Sequence, residues 1–76
     1  MTLNDLKPGE SGTVTEVISD SAMKRRLTAM GLAPGVSVRL LRSAPLGDPS
    51  EYRVMGYNLA LRRRDAEGII IEKDGK

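Results

Sequence analysis

The side chains of this sequence that could do chemistry are carboxylates, amines, guanidiniums and hydroxyls, because histidine and cysteine are both absent. Without imidazole or thiolate the chain cannot build a zinc finger, a histidine-based iron site, a Ser-His-Asp triad or a Cys-His pair. Its carboxylates stand singly and lack the dense ligand spacing of a calcium loop. We find no P-loop, no dinucleotide fingerprint and no motif around a Ser-Lys dyad. We therefore predict that the protein is not an enzyme and has no metal site or cofactor.

The basic side chains concentrate in two short runs, residues 24–26 and 62–64. The second run is followed at once by Asp65 and Glu67, and the formal net charge is only +2, so we interpret both runs as solvated faces of mixed charge. Nucleic-acid binding remains an alternative because the pI is about 9.3. Binders of single strands stack bases on aromatic side chains, however, and this chain has two tyrosines and no other aromatic residue. We predict no nucleic-acid partner.

A chain of 76 residues is long enough for one small domain, with a core that we place at about residues 3–72. There is no internal repeat and no linker. The longest apolar run near a strand, residues 69–71, is far too short to cross a bilayer, and the first residues do not resemble a signal peptide. We expect a cytoplasmic location without membrane insertion.

One helix is predicted after the first strand. Residues 19–21 (SDS) are good N-cap candidates, and Met23, Leu27 and Met30 follow at the spacing of one helical face. Gly31 stands where a left-handed C′ residue is needed, and Leu32 then falls at C″, in position to contact Leu27 in a Schellman arrangement.

Five short strands are predicted around this helix. Residues 12–18 form the first, and Val14 and Val17 can share its buried face only if the strand contains a bulge. Residues 36–40 alternate with period two until Leu41 interrupts the polar face. A hairpin over residues 51–62 and a last strand at 69–72 follow, and residues 74–76 are expected to fray. Five short strands leave long edges unless the sheet partly closes, so we predict a mainly β, partly open barrel.

The hairpin allows a prediction of register. If Gly56 and Tyr57 form a two-residue type II′ turn, Val54 faces Leu59 and Tyr52 faces Leu61 on an apolar face. The other face then opposes Glu51 and Arg62, a pair of opposite charge that stabilises the hairpin by a few tenths of a kcal/mol.

Three segments of the chain resemble one family. Residues 27–35 (LTAMGLAPG) match a helix exit, residues 44–49 (APLGDP) match a loop, and residues 56–63 (GYNLALRR) match a hairpin of the ferrous iron transport protein A (FeoA-like) domain. The resemblance runs in order over nearly the whole chain, from about residue 3 to residue 72.

The resemblance implies an SH3-like barrel that acts in the cytoplasm beside a large membrane transporter of ferrous iron. It implies that this B-type transporter is the partner and that its cytoplasmic GTPase domain is the docking surface. Weak self-association is also compatible with the resemblance. The same domain occurs at the carboxyl end of iron-dependent repressors, and a stand-alone relative of that domain is the alternative. No DNA-binding region precedes the domain here, which favours the transport protein.

The loop is the first candidate for contact with a partner. Leu46, between Pro45 and Gly47, either stands exposed as an anchor on a rigid loop or folds back to cap the barrel. Tyr57 either stacks on a partner or packs over the barrel end.

The helix offers a second candidate. The face formed by Met23, Leu27 and Met30 belongs either to the core or to a groove for a partner helix, with Leu41 at the edge of that groove. Arg62, with the two arginines after it, either serves a GTPase partner as an arginine finger or lies in solvent at the strand end.

Overall fold

A computed structural model describes residues 1–74 of the chain. The elements in chain order are a 3₁₀ turn (Leu3–Asp5), β1 (Ser11–Val17), α1 (Ser21–Ala29), β2 (Ser37–Ser43), β3 (Ser50–Val54), β4 (Tyr57–Leu61), α2 (Arg63–Ala66) and β5 (Ile69–Lys73). The predicted helix after the first strand and the five strands are confirmed. Residues 75 and 76, part of the end expected to fray, lie outside the described residues. Asp74 was also expected to fray but is anchored, since its N–H donates to the Ser11 carbonyl at 2.9 Å.

The five strands form one antiparallel sheet in the order β4-β3-β2-β1-β5. The sheet is not closed, because β4 and β5 are its two edges, and this agrees with the predicted partly open barrel. The long connection between β1 and β2 carries α1, while β2, β3 and β4 follow each other through short loops.

Bulges in β1 and β2 explain two irregularities of the sequence. The register between β1 and β5 shifts between Val14 and Glu16, and this shift lets Val14 and Val17 both face the core. The predicted bulge is therefore confirmed. In β2 the register with β3 shifts between Leu40 and Arg42, so Leu41 is the extra residue and stands half-exposed outside the ladder.

The β3–β4 hairpin folds in a register that differs from the predicted one. Its turn residues are Met55 (φ 50°) and Gly56 (φ 87°), and positive φ at both central positions is typical of a type I′ turn. Tyr57 is therefore the first residue of β4 and faces Val54, and Tyr52 faces Leu59.

The predicted pairs of this hairpin are wrong, and so is the pairing of Glu51 with Arg62, since Glu51 faces Ala60. The error is a shift of two residues, which preserves the faces of both strands because side chains alternate with period two. Tyr52, Val54 and Leu61 are accordingly buried as predicted. The sequence offered no type I′ signal, because methionine is an unusual residue at a positive φ.

The core is a single cluster of side chains from the sheet, α1, α2 and the amino-terminal turn, and within residues 1–74 its members are apolar apart from the hydroxyl of Tyr52. Helix α1 begins at the N-cap Asp20, whose carboxylate accepts from the Met23 N–H at 2.8 Å. It ends as predicted. The Leu32 N–H donates to the Leu27 carbonyl at 3.0 Å and the Gly31 N–H to the Thr28 carbonyl at 2.9 Å, the two bonds of a Schellman motif.

Candidate functional site

The β2–β3 loop, residues 44–49, is a closed and well-anchored turn. The Ala44 N–H donates to the Pro49 carbonyl at 2.9 Å, and the Gly47 N–H donates to the Ala44 carbonyl at 2.7 Å. At the base of the loop the hydroxyls of Ser43 and Ser50 lie 2.9 Å apart. These bonds fix the loop backbone, so little conformational freedom remains to be lost when the loop contacts another molecule.

Leu46 stands at the tip of this loop and is 96% exposed. The alternative that Leu46 folds back to cap the barrel is therefore wrong. Pro45 beside it is also exposed, while Gly47 is half-buried. The loop thus presents one large apolar side chain on a rigid support, which is the geometry of an anchor residue.

Asp48 connects the loop to helix α2. Its Oδ1 accepts from the Arg63 N–H at 3.0 Å and so satisfies one of the free amides at the helix start. On the far side, the Asn4 side-chain amide donates to the Arg63 carbonyl at 2.9 Å. Sequence reasoning missed this role of Asp48, because the two bonded residues are 15 positions apart and no local pattern links them.

Arg62 is exposed at the start of α2, close in the chain to this anchoring point. Its predicted partner Glu51 is bonded to Arg42 instead, at 2.7 Å. Within residues 1–74, Arg62 forms no salt bridge. Its guanidinium therefore adds a free positive charge to this side of the molecule.

Tyr57 and Met55 lie over the exit of helix α1. A Cβ placed on Gly31 would meet the Tyr57 hydroxyl at 3.2 Å and the Met55 sulfur at 3.3 Å. Tyr57 is nevertheless 43% exposed and Met55 is 71% exposed. Tyr57 thus packs with one end on the helix exit and keeps part of its ring in solvent, and its stacking on a partner stays a prediction. Met55 was not singled out from the sequence.

The helix face is divided between core and surface. Leu27 is 1% exposed and belongs to the core, so no partner can contact it, while Met23 and Met30 are half-buried against that core. A depression of about 460 Å³ beside α1 joins Met23 to Ile18 and to residues of α2. Leu41 does not line this depression. The predicted groove edged by Leu41 is therefore replaced by one edged by Ile18, which was not among the predicted contact residues.

Two ionisable groups with shifted pKa values serve structural contacts. Glu10 has its pKa lowered, first by its bond to Lys73 at 2.7 Å and then by the Lys7 N–H, which closes the turn over residues 7–10. Burial raises the pKa of Tyr52 above its ordinary value of 10.0. Among residues 1–74, no three carboxylates gather closely enough to hold a metal ion.

None of the helices in the described part of the chain combines the length and the apolar character that crossing a bilayer requires.

Comparison with known proteins identifies relatives over the whole domain. The family model described as the FeoA domain matches residues 1–73. The segment is 36% identical over 72 residues to an Fe(2+) transport protein A/Fe(2+) transporter FeoB fusion protein of Porphyromonas gingivalis. The match covers 95% of this chain but only 8% of the fusion protein.

Solved structures share both the fold and part of the sequence. The FeoA protein from Chlorobium tepidum superposes with a TM-score of 0.89 at 44% identity, covering 96% of this chain and 70% of that one. FeoA from Stenotrophomonas maltophilia, solved in complex with zinc and described as a procaryotic SH3 domain protein, gives 0.83 at 30% identity, covering 95% and 89%. The predicted SH3-like architecture is confirmed by these likenesses.

Proposed function

The chain belongs to the FeoA family, and on that premise we propose that it is an accessory protein of bacterial ferrous iron uptake that binds a FeoB-type transporter. The observation that carries the proposal is the fusion protein of Porphyromonas gingivalis, in which a segment 36% identical to this chain shares one polypeptide with a FeoB transporter. Joining two modules raises their effective concentration for each other, so a fusion is most useful where the two parts work in contact.

We assign the contact to the loop of residues 44–49. Leu46 offers an apolar anchor whose ordering cost is already met by the hydrogen bonds within the loop and by Asp48. Arg62, an exposed residue that precedes the Arg63 amide bound by Asp48, supplies positive charge. A complementary partner surface would have an apolar pocket with acidic residues at its rim. We propose that this surface belongs to the cytoplasmic GTPase domain of the transporter.

The protein acts in this proposal through its surface and without catalysis. Histidine and cysteine are absent from the sequence. The two ionisable groups with shifted pKa values, Glu10 and Tyr52, make structural contacts. We place it in the cytoplasm, held beside the inner membrane through the transporter.

A titration of the isotope-labelled chain with the transporter tests the proposal. The chain would be mixed with full-length transporter in nanodiscs, and separately with its soluble GTPase domain, each with GDP and with a non-hydrolysable GTP analogue. We expect amide shifts centred on residues 44–49. An absence of measurable binding in every nucleotide state would contradict the proposal.

Two variants, each at an exposed apolar side chain, localise the contact. Leu46→Ala should weaken binding by about tenfold or more, as expected for an apolar anchor. Ile18→Ala removes another exposed apolar side chain, 57% exposed and outside the loop, and should leave the affinity within about twofold. Equal losses for both variants would place the contact elsewhere.

A further inference from the structure

The two edges of the sheet are treated differently by the fold. The outer side of β5 is covered, because the Ile71 N–H donates to the Met1 carbonyl at 2.9 Å and Thr2 bridges to Ile70. Strand β5 also ends in the charged residues Glu72 and Lys73, which discourage further pairing. The outer side of β4 has neither protection.

Strand β4 (YNLAL) contains no charged residue, no proline and no bulge. The two-residue turn makes Val54 and Tyr57 a hydrogen-bonded pair, and the pattern alternates from there. The backbone groups of Asn58 and Ala60 therefore point away from β3. No backbone group elsewhere in residues 1–74 bonds to either of them. Such an edge is a ready template for another strand.

We propose that β4 pairs with β4 of a second copy of this chain in an antiparallel, two-fold symmetric dimer. The outer edge of the strand is self-complementary. Only Asn58 and Ala60 have outward-pointing groups, so the register that uses both sets Asn58 opposite Ala60 of the second copy, twice by symmetry. Leu59 then faces Leu59 of the second copy on the two-fold axis.

This register also satisfies the side chains. Leu59 is half-buried in one copy, and its counterpart would cover the part that is still exposed. Tyr57 falls opposite Leu61, which extends the apolar face across the axis. Arg62 falls opposite Gly56, so no two like charges oppose each other directly. A register that instead set Ala60 opposite Ala60 of the second copy would pair Asn58 with Arg62. The carbonyl of Arg62 already accepts from α2 amides at 3.0 Å.

A pairing of two five-residue strands buries less surface than the roughly 1,000 Å² of a stable interface. We therefore expect a weak dimer with a Kd on the order of 0.1–1 mM. Sedimentation equilibrium of the full chain across that concentration range, with thermal melts to verify folding, measures it. Ala60→Pro removes an outward N–H without breaking the hairpin and should raise the Kd at least about tenfold. A chain that stays monomeric at about 1 mM, or a dimer unaffected by Ala60→Pro, would overturn the proposal.

A cysteine scan fixes the register independently, and it is unambiguous because the chain has no cysteine of its own. In the proposed dimer the Leu59 Cα atoms are about 4.5 Å apart, within the range of about 4.4–6.8 Å that a disulfide spans. Leu59→Cys should therefore cross-link with itself under mild oxidation. Asn58→Cys, the matched control, is offset from its own copy by two residues, roughly 7 Å along the strand, and should cross-link far more slowly.

The result also separates this proposal from the transporter contact. Equal cross-linking of both cysteine variants would refute the register. Amide shifts of Asn58 and Ala60 that appear only with the transporter, and not with rising concentration of the chain alone, would assign the edge to that partner and refute self-pairing.

Discussion

Gly68 joins α2 to β5 at a point where the backbone of β1 passes against it. The Ile18 N–H donates to the Gly68 carbonyl at 2.7 Å, which ties the end of β1 to the start of β5. A Cβ added at Gly68 would lie well inside van der Waals contact of the Ile18 carbonyl oxygen. The φ of Gly68 is an ordinary one, since Gly68 is not among the residues with positive φ. The need for glycine here is therefore purely steric.

Gly68→Ala should destabilise the fold because a backbone carbonyl must move. The Ile18 carbonyl belongs to a backbone segment that is held on both sides, by the bond from the Ile18 N–H to Gly68 and by the N-cap Asp20 two residues later. The shift costs about 1–3 kcal/mol for overpacking and about 1 kcal/mol for the strained hydrogen bond. The sum of about 2–4 kcal/mol corresponds to a melting temperature lower by roughly 8–30 °C for a domain of this size.

Gly9→Ala is the matched control, because Gly9 has a positive φ but free space around an added Cβ. Gly9 has φ +89° but nothing within 4 Å of an added Cβ, so only torsional strain of about 1 kcal/mol is expected. Thermal melts by circular dichroism, with urea titrations for the free energy of unfolding, compare the two variants. A loss for Gly68→Ala no larger than that for Gly9→Ala would refute the steric argument.

Three further predictions concern the core, the acid range and the loop. Leu27→Ala should cost about 2–5 kcal/mol because the side chain is 1% exposed, whereas the half-buried Met23→Ala should cost clearly less; urea denaturation measures both. Glu10 has a lowered pKa through its bond to Lys73, so its contribution is present above its ordinary value of 4.5 and is lost as the pH falls through the lowered value. Melts between about pH 5 and 2 should therefore fall less steeply for Glu10→Gln than for the parent chain, and identical slopes would contradict this. Asp48→Ala should destabilise the chain by about 1 kcal/mol and raise the mobility of the loop on the NMR relaxation timescale, while Asp48→Asn retains an acceptor and should lose less.

Much of the fold could be predicted from the sequence because its signals are local. The start and the end of α1 depend on hydrogen bonds within a few residues: the N-cap, Asp20, is one of the three candidates at residues 19–21, and the predicted end at Gly31 is confirmed. The bulge in β1 followed from the spacing of Val14 and Val17, since two apolar residues an odd number of positions apart cannot share a face of a regular strand. The family resemblance was confirmed over residues 1–73.

The register of the β3–β4 hairpin could not be predicted from the local sequence. Both registers, the predicted and the observed, place the same side chains on the same face, so the apolar pattern alone could not choose between them. In the folded chain Tyr57 packs on the exit of α1 across Gly31, 26 positions earlier in the chain, and Met55 accepts a positive φ in the turn. The choice is made by packing between elements that are distant in sequence.

Some features of the candidate surface follow from the sequence, and others follow only from the tertiary structure. Residue types alone show that a proline-flanked loop carries Leu46 and that the chain has no imidazole or thiol. These are properties of composition and of short-range turn chemistry. Three other features depended on the assembled fold: Leu46 points to solvent, Asp48 binds the start of α2, and one sheet edge is covered while the other is bare. Exposure and pairing are relations between segments far apart in the chain, and only packing the segments together decides which surfaces are left over.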